Sequence, residues 1–346
     1  MSGDGGTLES LQDVDQHLLR KLKDIGVGSI SDLATTTAPE LLEDYYSNYD
    51  DAARGIDFES ISHLVLKAKQ KLIEDGLIER DFSSAEKMLE RRQKMARFST
   101  GSENFDSFLG GGIETQALTE IAGEFGSGKS QLCYTLCVTA ANMSSKEDIG
   151  IIYVDTENSF KAERVYQIAE SRGLDAEEIL KRINICKIYY SAHLEAVIRS
   201  LAKYIEQYRA RIVIIDSIIS LHRAEFSGRE TLAERQQRLN TLLHRLRRLS
   251  EIYNIAVVYT NQVQAQPDAL LGNGFDSMKT AGGNIMGHAS TYRIFLRKAG
   301  PNRIATMLDS PYHAYGQVKF TIGEEGIQDL EKKDSKTLAA SSECGW

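Results

Sequence analysis

One glycine-rich octapeptide, GEFGSGKS at residues 123–130, limits the fold of this chain more than any other segment. It matches the phosphate-loop pattern, in which glycine-permitted turns aim backbone N–H groups at a triphosphate, a lysine neutralises phosphates and a hydroxyl binds Mg²⁺. ALTEIA (117–122) predicts the buried strand before the loop, and QLCYTLCVTAANM (131–143) predicts the helix after it. The sequence therefore predicts an α/β domain that binds a nucleoside triphosphate. The alternative is a glycine-rich turn with a surface lysine.

The composition is ordinary for a globular protein, with 42% hydrophobic and 26% charged residues. No run of about 18 apolar residues occurs, and the start of the chain lacks the basic and apolar regions of a signal peptide. We therefore expect no membrane partner and a cytoplasmic location, nuclear if the source is eukaryotic. The net charge of −8 argues against a uniformly basic surface but is compatible with a local nucleic-acid site.

The four cysteines have no metal-ligand spacing and are expected to be reduced. Cys133 and Cys137 lie one helical turn apart on the helix after the loop. Small buried side chains are the preferred interpretation of this pair, and a redox pair is the alternative.

Four regions differ in their sequence pattern. Residues 1–77 alternate short amphipathic stretches with glycine-bearing turns, which predicts a small all-helical domain. Residues 78–97 are strongly charged and predict a linker with a helical second half, in which Phe82 is an apolar exception. Residues 98–331 alternate apolar β-rich runs with helices, as a mainly parallel sheet requires. Residues 332–346 predict a flexible polar tail.

Several predicted strands are apolar throughout, which is typical of strands that are covered on both faces. Two further strands, near 303–309 and 316–322, are predicted to form an antiparallel edge. The other predicted strands span residues 117–122, 150–155, 183–189, 212–216, 256–260 and 291–297.

Acidic and amide side chains follow three of these strands, at the edge where open α/β sheets bind ligands. Asp216 ends IVIID and is the candidate second acid beside Mg²⁺, held through water; a helix N-cap is the alternative. Glu157 follows YVDT and is the candidate general base. Its alternative is that Asp155 and Glu157 only cap the helix after Phe160. Gln262 follows AVVYTN and is a candidate sensor of the γ-phosphate.

Six motifs closely resemble, in order and spacing, those of the RecA/RadA recombinase family, nearest to its archaeal RadA and eukaryotic members. They are GEFGSGKS, YVDTE, IVIIDS, SGRETLAERQQRL, YTNQVQAQPDA and GGNIMGHASTYRIFLRK. The resemblance covers about residues 82–327. It implies a RecA-like P-loop ATPase core with a mainly parallel central sheet, preceded by a small helix-hairpin-helix-like domain. It also implies ATP-dependent helical filaments on single-stranded DNA that exchange this strand with a homologous duplex.

The resemblance assigns catalytic and metal-binding roles. Lys129, Glu157 and Gln262 form the catalytic set: Lys129 binds the phosphates, Glu157 is the base, and Gln262 joins ATP to DNA. Ser130 and Asp216 serve the metal. ATP and Mg²⁺ are the implied cofactors. A monovalent cation such as K⁺ is a further candidate cofactor.

The implied ATP lies between neighbouring protomers. Arg164 would pack against adenine, and Asp309 would approach the nucleotide of the adjacent subunit. The implied nucleotide-binding residues are Gly123, Glu124, Phe125, Gly126, Ser127, Gly128, Lys129, Ser130, Gln131, Arg164 and Asp309.

Phe82 and Ala85 match the family's Phe-x-x-Ala polymerisation motif, in which the aromatic ring fills a pocket on the next core. This match explains the apolar residue in a charged linker; packing of Phe82 on its own core is the alternative. The implied partners are further copies of this chain, in rings or filaments, single- and double-stranded DNA, and recombination mediators.

Two segments, about 223–235 and 264–288, resemble the family's DNA-binding loops. In the first, Arg223, Arg229 and Arg235 occupy matching positions, and the planar guanidinium suits phosphate contacts. The second is glycine-rich and nearly uncharged, so it would contact DNA through apolar groups and backbone N–H donors; its assigned residues are Gly282, Gly283, Asn284 and His288. A solvated, salt-bridged helix face is expected for Arg238, Arg245, Arg247 and Arg248.

Two departures from the family pattern bear on function. The N-terminal Pro-Gly-Val-Gly hairpin, whose amides grip duplex phosphates, is replaced by the glycine-free LQDVDQ at residues 11–16. After Asp309, Ser-Pro-Tyr-His-Ala-Tyr-Gly departs from the usual Leu-Pro-Glu. The first change concerns duplex capture by the N-terminal domain, and the second concerns the cap over the neighbour's ATP.

The leading prediction is an ATP-dependent strand-exchange recombinase, an enzyme only in that it hydrolyses ATP. One alternative is a recombinase paralogue that binds DNA and ATP as a mediator and does not exchange strands. Another is a RecA-like ring motor or clock protein, which would not need the arginine loop. The Phe82 motif, the N-terminal domain and the second loop favour the recombinase, since paralogues often lack one of these.

Overall fold

The N-terminal part is helical, as predicted. The computed structural model describes residues 6–11, 14–48, 57–80, 82–143, 149–226, 228, 231–263 and 289–330. Asp15, Ser29 and Asp57 begin three of the helices by accepting hydrogen bonds from first-turn N–H groups. Leucine and isoleucine side chains at helical spacing close a small core between the helices. The elements are a 3₁₀ turn (Leu8–Ser10), α1 (Gln16–Asp24), α2 (Ile30–Thr35), α3 (Ala38–Asn48) and α4 (Phe58–Glu74).

The linker contains helix α5 (Ala85–Gln93), so its helical second half is confirmed. Ser84 begins this helix, because its hydroxyl accepts a hydrogen bond from the N–H of Lys87 at 3.3 Å. No residue of α5 is buried. The helix therefore does not pack its side chains into the core of its own chain.

The central sheet is mainly parallel with an antiparallel edge, as predicted. Within the described residues its spatial order is β11-β10-β9-β8-β3-β7-β6-β4-β5. The six strands from β8 to β5 in this order run parallel, and β9 to β11 are antiparallel. A separate ribbon pairs β1 (Arg97–Phe98) with β2 (Ile113–Glu114). The sheet strands are β3 (Ala117–Gly123), β4 (Gly150–Asp155), β5 (Ile183–Lys187), β6 (Ala210–Asp216), β7 (Ala256–Gln262), β8 (Tyr292–Ala299), β9 (Asn302–Asp309), β10 (Gln317–Gly323) and β11 (Gly326–Gln328).

Helices cover both faces of the sheet, so β3 is buried along its whole length. On one face Leu132 and Leu136 of α7 pack with Ile121, and on the other Leu243 of α13 packs with Leu118. No helix in the described ranges is both long and apolar enough to cross a membrane. The helices are α6 (Glu103–Phe108), α7 (Lys129–Met143), α8 (Ala162–Ser171), α9 (Ala176–Lys181), α10 (Ser191–Arg199), α11 (Leu201–Tyr208), α12 (Ser220–Glu225) and α13 (Leu232–Ile252).

The two cysteines of α7 are buried, as predicted. Cys133 and Cys137 are both fully inaccessible to solvent. Burial raises the pKa of each thiol, because the thiolate would lose its hydration. These groups are therefore unreactive packing residues and not a redox pair.

The N-terminal helices are joined to α13 by ion pairs. The Glu40 carboxylate accepts a hydrogen bond from Arg248 Nη2 at 3.0 Å and lies 3.5 Å from Arg245 Nη1. Arg245 is 5% exposed, so the prediction of a solvated helix face is wrong for this residue. The packed N-terminal helices exclude water from this side of α13. Arg247, by contrast, pairs with Glu251 at the surface, as expected.

We expect Glu40→Gln to lower the free energy of unfolding by about 2 kcal/mol, because two mostly buried guanidinium groups lose their carboxylate. The matched control is Glu251→Gln, which removes the exposed ion pair with Arg247 on α13, the helix that also carries Arg245 and Arg248. It should change the free energy of unfolding by less than about 0.5 kcal/mol. Urea unfolding followed by circular dichroism measures both. Equal effects would mean that the Glu40 pairs contribute no more than a surface pair.

Candidate nucleotide-binding site

The predicted phosphate loop joins β3 directly to α7. Gly126 and Gly128 have φ values of +72° and +106°, a backbone region that glycine adopts without steric cost. A Cβ atom at Gly123 would lie 2.5 Å from the carbonyl oxygen of Leu296, so only glycine fits where the loop leaves the sheet. The helix begins at Lys129, slightly earlier than predicted, which places its N-terminal amides at the loop.

The loop carries donors that suit phosphate oxygens. Lys129 Nζ donates hydrogen bonds to the carbonyl oxygens of Gly123 and Glu124, both at 3.0 Å. Burial lowers the pKa of this ammonium group, and the negative charge of Asp216 opposes the shift. The Ser127 hydroxyl is buried and has no hydrogen-bond partner among the described residues. A cation and an unsatisfied donor in one loop fit a triphosphate.

Ser130 and Asp216 lie in direct contact. Ser130 Oγ donates a hydrogen bond to Asp216 Oδ2 at 2.7 Å, and Tyr153 donates to the same oxygen at 2.9 Å. The other carboxylate oxygen accepts from Thr260 Oγ1 at 2.5 Å. The N-cap residue of the following helix α12 is Ile219, so the N-cap alternative for Asp216 is wrong.

This pair fits Mg²⁺ only if phosphates share the metal. The described residues contain no group of three His, Cys, Asp or Glu side chains that could hold a metal ion. Mg²⁺ is commonly bound through one or two protein oxygens together with substrate phosphates and water. The Ser130 hydroxyl and the Asp216 carboxylate are oxygen donors of this kind, placed beside the phosphate loop.

Glu157 and Gln262 meet at the same edge of the sheet. Gln262 Nε2 donates a hydrogen bond to Glu157 Oε1 at 2.8 Å, and Ser217 Oγ donates to the same oxygen at 3.1 Å. Asp155 has a local role instead, because its carboxylate accepts from the N–H groups of residues 157, 159 and 160 at 3.0–3.2 Å. The N-cap residue of the following helix α8 is Lys161, so neither Asp155 nor Glu157 caps this helix and the capping alternative is wrong.

An open cleft of about 310 Å³ lies beside the Glu157–Gln262 pair. Its lining residues are Ile219, Ser220, Arg223, Ala224 and Gln262. One amide side chain thus contacts the candidate base and also lines a cleft that contains an arginine of the first predicted DNA loop. The two predicted sites are neighbours in space.

The Rad51 family model matches residues 91–330 of this chain. The chain belongs to the Rad51 family. It is also similar to the DNA repair and recombination protein RadA of Cenarchaeum symbiosum (strain A), with 40% identity over 328 residues. This match covers 94% of the chain and 79% of the relative. The predicted RecA/RadA membership and the RecA-like α/β fold are thereby confirmed.

In this Rad51-family chain, Arg164 lies on the flank of the phosphate-loop helix. Its Nε donates a hydrogen bond to Gln131 Oε1 at 2.9 Å, and its Nη2 donates to the Gly323 carbonyl at 2.5 Å. Partial burial lowers the pKa of the guanidinium, and the charge of Glu324 opposes this. A guanidinium plane fixed in this way is suited to stacking on a base. Its contact with adenine stays a prediction.

Asp309 is exposed at the end of β9, where it lies opposite Arg293 of β8. The phosphate loop leaves the sheet farther along β8, since Gly123 pairs with Leu296. Asp309 therefore lies near the amino-terminal end of β8, whereas the phosphate loop of its own chain lies toward the carboxyl-terminal end of this strand. This position is compatible with the predicted contact to an adjacent subunit, which stays a prediction.

The predicted polymerisation residues are exposed. The Phe82 side chain is 94% exposed, which excludes the alternative that it packs on its own core. Ala85 is the exposed first residue of α5. Both side chains are accessible to a second copy of the chain.

Only part of the predicted DNA-binding set can be placed. Arg223 lines the cleft beside Gln262, and Arg235 Nη1 donates a hydrogen bond to the Phe226 carbonyl at 3.2 Å. The whole of the second loop, residues 264–288, lies outside the described residues. The predicted DNA contacts outside the described residues are Arg229, Gly282, Gly283, Asn284 and His288.

Sequence reasoning missed three side chains that position the carboxylates of the site: Tyr153, Thr260 and Ser217. The first two lie within strands that were identified correctly. The only available signal was a polar side chain in an otherwise apolar strand, as in GIIYVD and AVVYT. Their contact with Asp216 arises from the parallel pairing of β4, β6 and β7.

Proposed function

We propose that this chain is an ATP-dependent DNA recombinase that forms helical filaments on single-stranded DNA and catalyses homologous pairing and strand exchange. Membership of the Rad51 family supports this proposal, and so does the phosphate loop with its contacting hydroxyl and carboxylate. Its cofactors would be ATP and Mg²⁺, and its partners DNA and further copies of itself. Its cellular role would be recombinational DNA repair.

The observation that carries the proposal is the position of Gln262. Its side chain donates to the candidate base Glu157 and lines the cleft that contains Arg223. A neutral amide can change partner when the γ-phosphate is lost without an energetic cost for moving a buried charge. DNA held at Arg223 and ATP beside Glu157 would then each affect the other through one side chain.

In the proposed hydrolysis, Glu157 orients the attacking water and accepts its proton, while Lys129 stabilises negative charge on the phosphates. The hydrogen bonds from Ser217 and Gln262 hold one oxygen of the Glu157 carboxylate in place. Mg²⁺ would supply charge neutralisation of the phosphates, with Ser130 as a protein ligand and Asp216 holding the ion through water.

We expect wild-type protein to hydrolyse ATP faster with single-stranded DNA and to exchange strands between homologous oligonucleotides. Lys129→Ala should reduce hydrolysis by at least about 100-fold, because the phosphates lose their buried cation. Lys181→Ala, which removes an exposed lysine, should leave both activities unchanged. Phosphate release and a fluorescence strand-exchange assay measure the two reactions.

Each other outcome selects a different function. DNA-stimulated hydrolysis without strand exchange would favour the mediator. A rate of ATP hydrolysis that is the same with and without single-stranded DNA would favour a RecA-like motor. Either result would overturn the proposed recombinase.

A further inference from the structure

A buried carboxylate, Glu114 at the end of β2, gathers side chains from three separate segments. It is 3% exposed and accepts hydrogen bonds from Arg92 Nη2 at 2.9 Å and from Arg97 Nη2 at 3.3 Å. The hydroxyls of Tyr292 and Tyr312 also donate to it, at 3.1 and 3.2 Å. We call these five residues the Glu114 cluster. The buried negative charge of Glu114 is compensated by two guanidinium groups and two hydroxyls. Because each of these partners must be correctly placed, the cluster fixes the relative positions of its side chains.

The cluster fixes the segment that follows Asp309. The Arg92 guanidinium lies 5.4 Å from the centre of the Tyr312 ring, and this ring lies 4.1 Å from the ring of His313. The Ser310 hydroxyl accepts hydrogen bonds from the N–H groups of residues 312 and 313, at 3.3 and 3.0 Å. The segment is therefore closed into a turn and attached to the core directly beside Asp309.

The same cluster holds the linker helix. Arg92 lies in the last turn of α5, and Phe82 lies just before the first. A helix transmits displacement along its axis, because its backbone hydrogen bonds keep the rise per residue constant. A shift of the polymerisation segment would move Arg92, and Arg92 contacts both Glu114 and Tyr312.

We propose that Arg92 and Tyr312 are positioning residues that, through Glu114, set the Asp309 contact and the Phe82 contact together. The inference rests on the proposed function and on two contacts that the family resemblance implies, of Asp309 with the ATP of the adjacent subunit and of Phe82 with the next core. Its consequence is that ATP is held tightly only when the linker helix is correctly placed. Neither residue takes part in the bond-breaking step.

The test compares Arg92→Gln and Tyr312→Phe with matched controls. Arg91→Gln removes the neighbouring arginine of the same helix, which pairs with Glu79 at 3.2 Å. Tyr315→Phe removes a hydroxyl from the same segment at a residue that is 68% exposed. ATP hydrolysis on single-stranded DNA is measured over a range of ATP concentrations. Nucleotide-dependent assembly, followed by light scattering with a non-hydrolysable analogue, gives a second readout.

We expect Arg92→Gln and Tyr312→Phe each to raise the half-saturating ATP concentration at least about tenfold, the size expected for losing a hydrogen bond to a charged group. The kcat should stay within about twofold of wild type, because the bond-breaking residues are untouched. The double variant should show less than the product of the two effects, since both act through Glu114. The controls should match wild type.

Three results would overturn the inference. In the first, the variants match their controls in both readouts. In the second, the variants lower the thermal unfolding temperature but need the same nucleotide concentration as wild type for hydrolysis and for assembly. The third is a double variant whose effect equals the product of the single effects. Failure of the proposed function is a separate result: wild type would then show no hydrolysis stimulated by DNA, and the assembly readout would still decide the roles of Arg92 and Tyr312.

Discussion

Glu157→Gln should reduce the kcat of DNA-stimulated ATP hydrolysis by about 100- to 1000-fold and leave ATP binding nearly unchanged. Glutamine has the same shape and can still accept the hydrogen bonds from Ser217 and Gln262. It cannot accept the proton of the attacking water, and positioned proton transfer contributes about 10²–10⁴ in rate. Phosphate release at saturating ATP and binding of a fluorescent ATP analogue separate the two effects.

The matched control is Glu163→Gln, at an exposed glutamate on the nearby helix α8. It should retain the wild-type kcat, because its carboxylate lies outside the Glu157–Gln262 contact. Because ATP would persist, filaments of Glu157→Gln on DNA should last longer than those of wild type. A kcat within about threefold of wild type for Glu157→Gln would refute the assignment of the base.

Phe82→Glu should abolish long filaments and leave the folded chain as stable as wild type. Burial of a phenylalanine side chain contributes about 2–3 kcal/mol, and a carboxylate in the same apolar pocket would cost more than that. This loss recurs at every subunit contact in a filament. In the isolated chain the side chain is 94% exposed, so its replacement removes no core packing.

Sedimentation velocity and electron microscopy with single-stranded DNA and a non-hydrolysable ATP analogue would measure assembly. Phe58→Glu makes the same chemical change at another phenylalanine, 59% exposed on α4, and should still form filaments. Circular dichroism would check that both variants are folded. Long filaments of Phe82→Glu would show that the polymerisation motif does not join the subunits of this protein.

The grouping of the candidate site residues could be predicted because each lies at or shortly after the end of a recognisable strand. The strands that lead to Lys129, Glu157, Asp216 and Gln262 all end at one edge of a parallel sheet. A residue at the carboxyl end of any such strand therefore reaches the same crevice, whatever the strand order. Local sequence was sufficient for this part of the site.

Contacts that join distant segments could not be predicted in the same way. Arg245 looked like a surface residue, because its own helix carries several charges and nothing nearby in sequence indicates the covering α3. The Glu114 cluster likewise joins residues up to 220 positions apart in number, from Arg92 to Tyr312. Periodicity within one element carries no information about which other element packs against it.

The sequence by itself determined the phosphate loop, the mainly parallel sheet, the acids at its edge and the resemblance to the RecA/RadA family, because these depend on local backbone chemistry and strand polarity. Only the tertiary structure decided that Gln262 contacts Glu157, that Arg245 is buried, and that Glu114 joins the linker helix to the segment after Asp309. These contacts depend on strand order and domain packing. Both arise from the burial of apolar surface over the whole chain, which no short segment specifies.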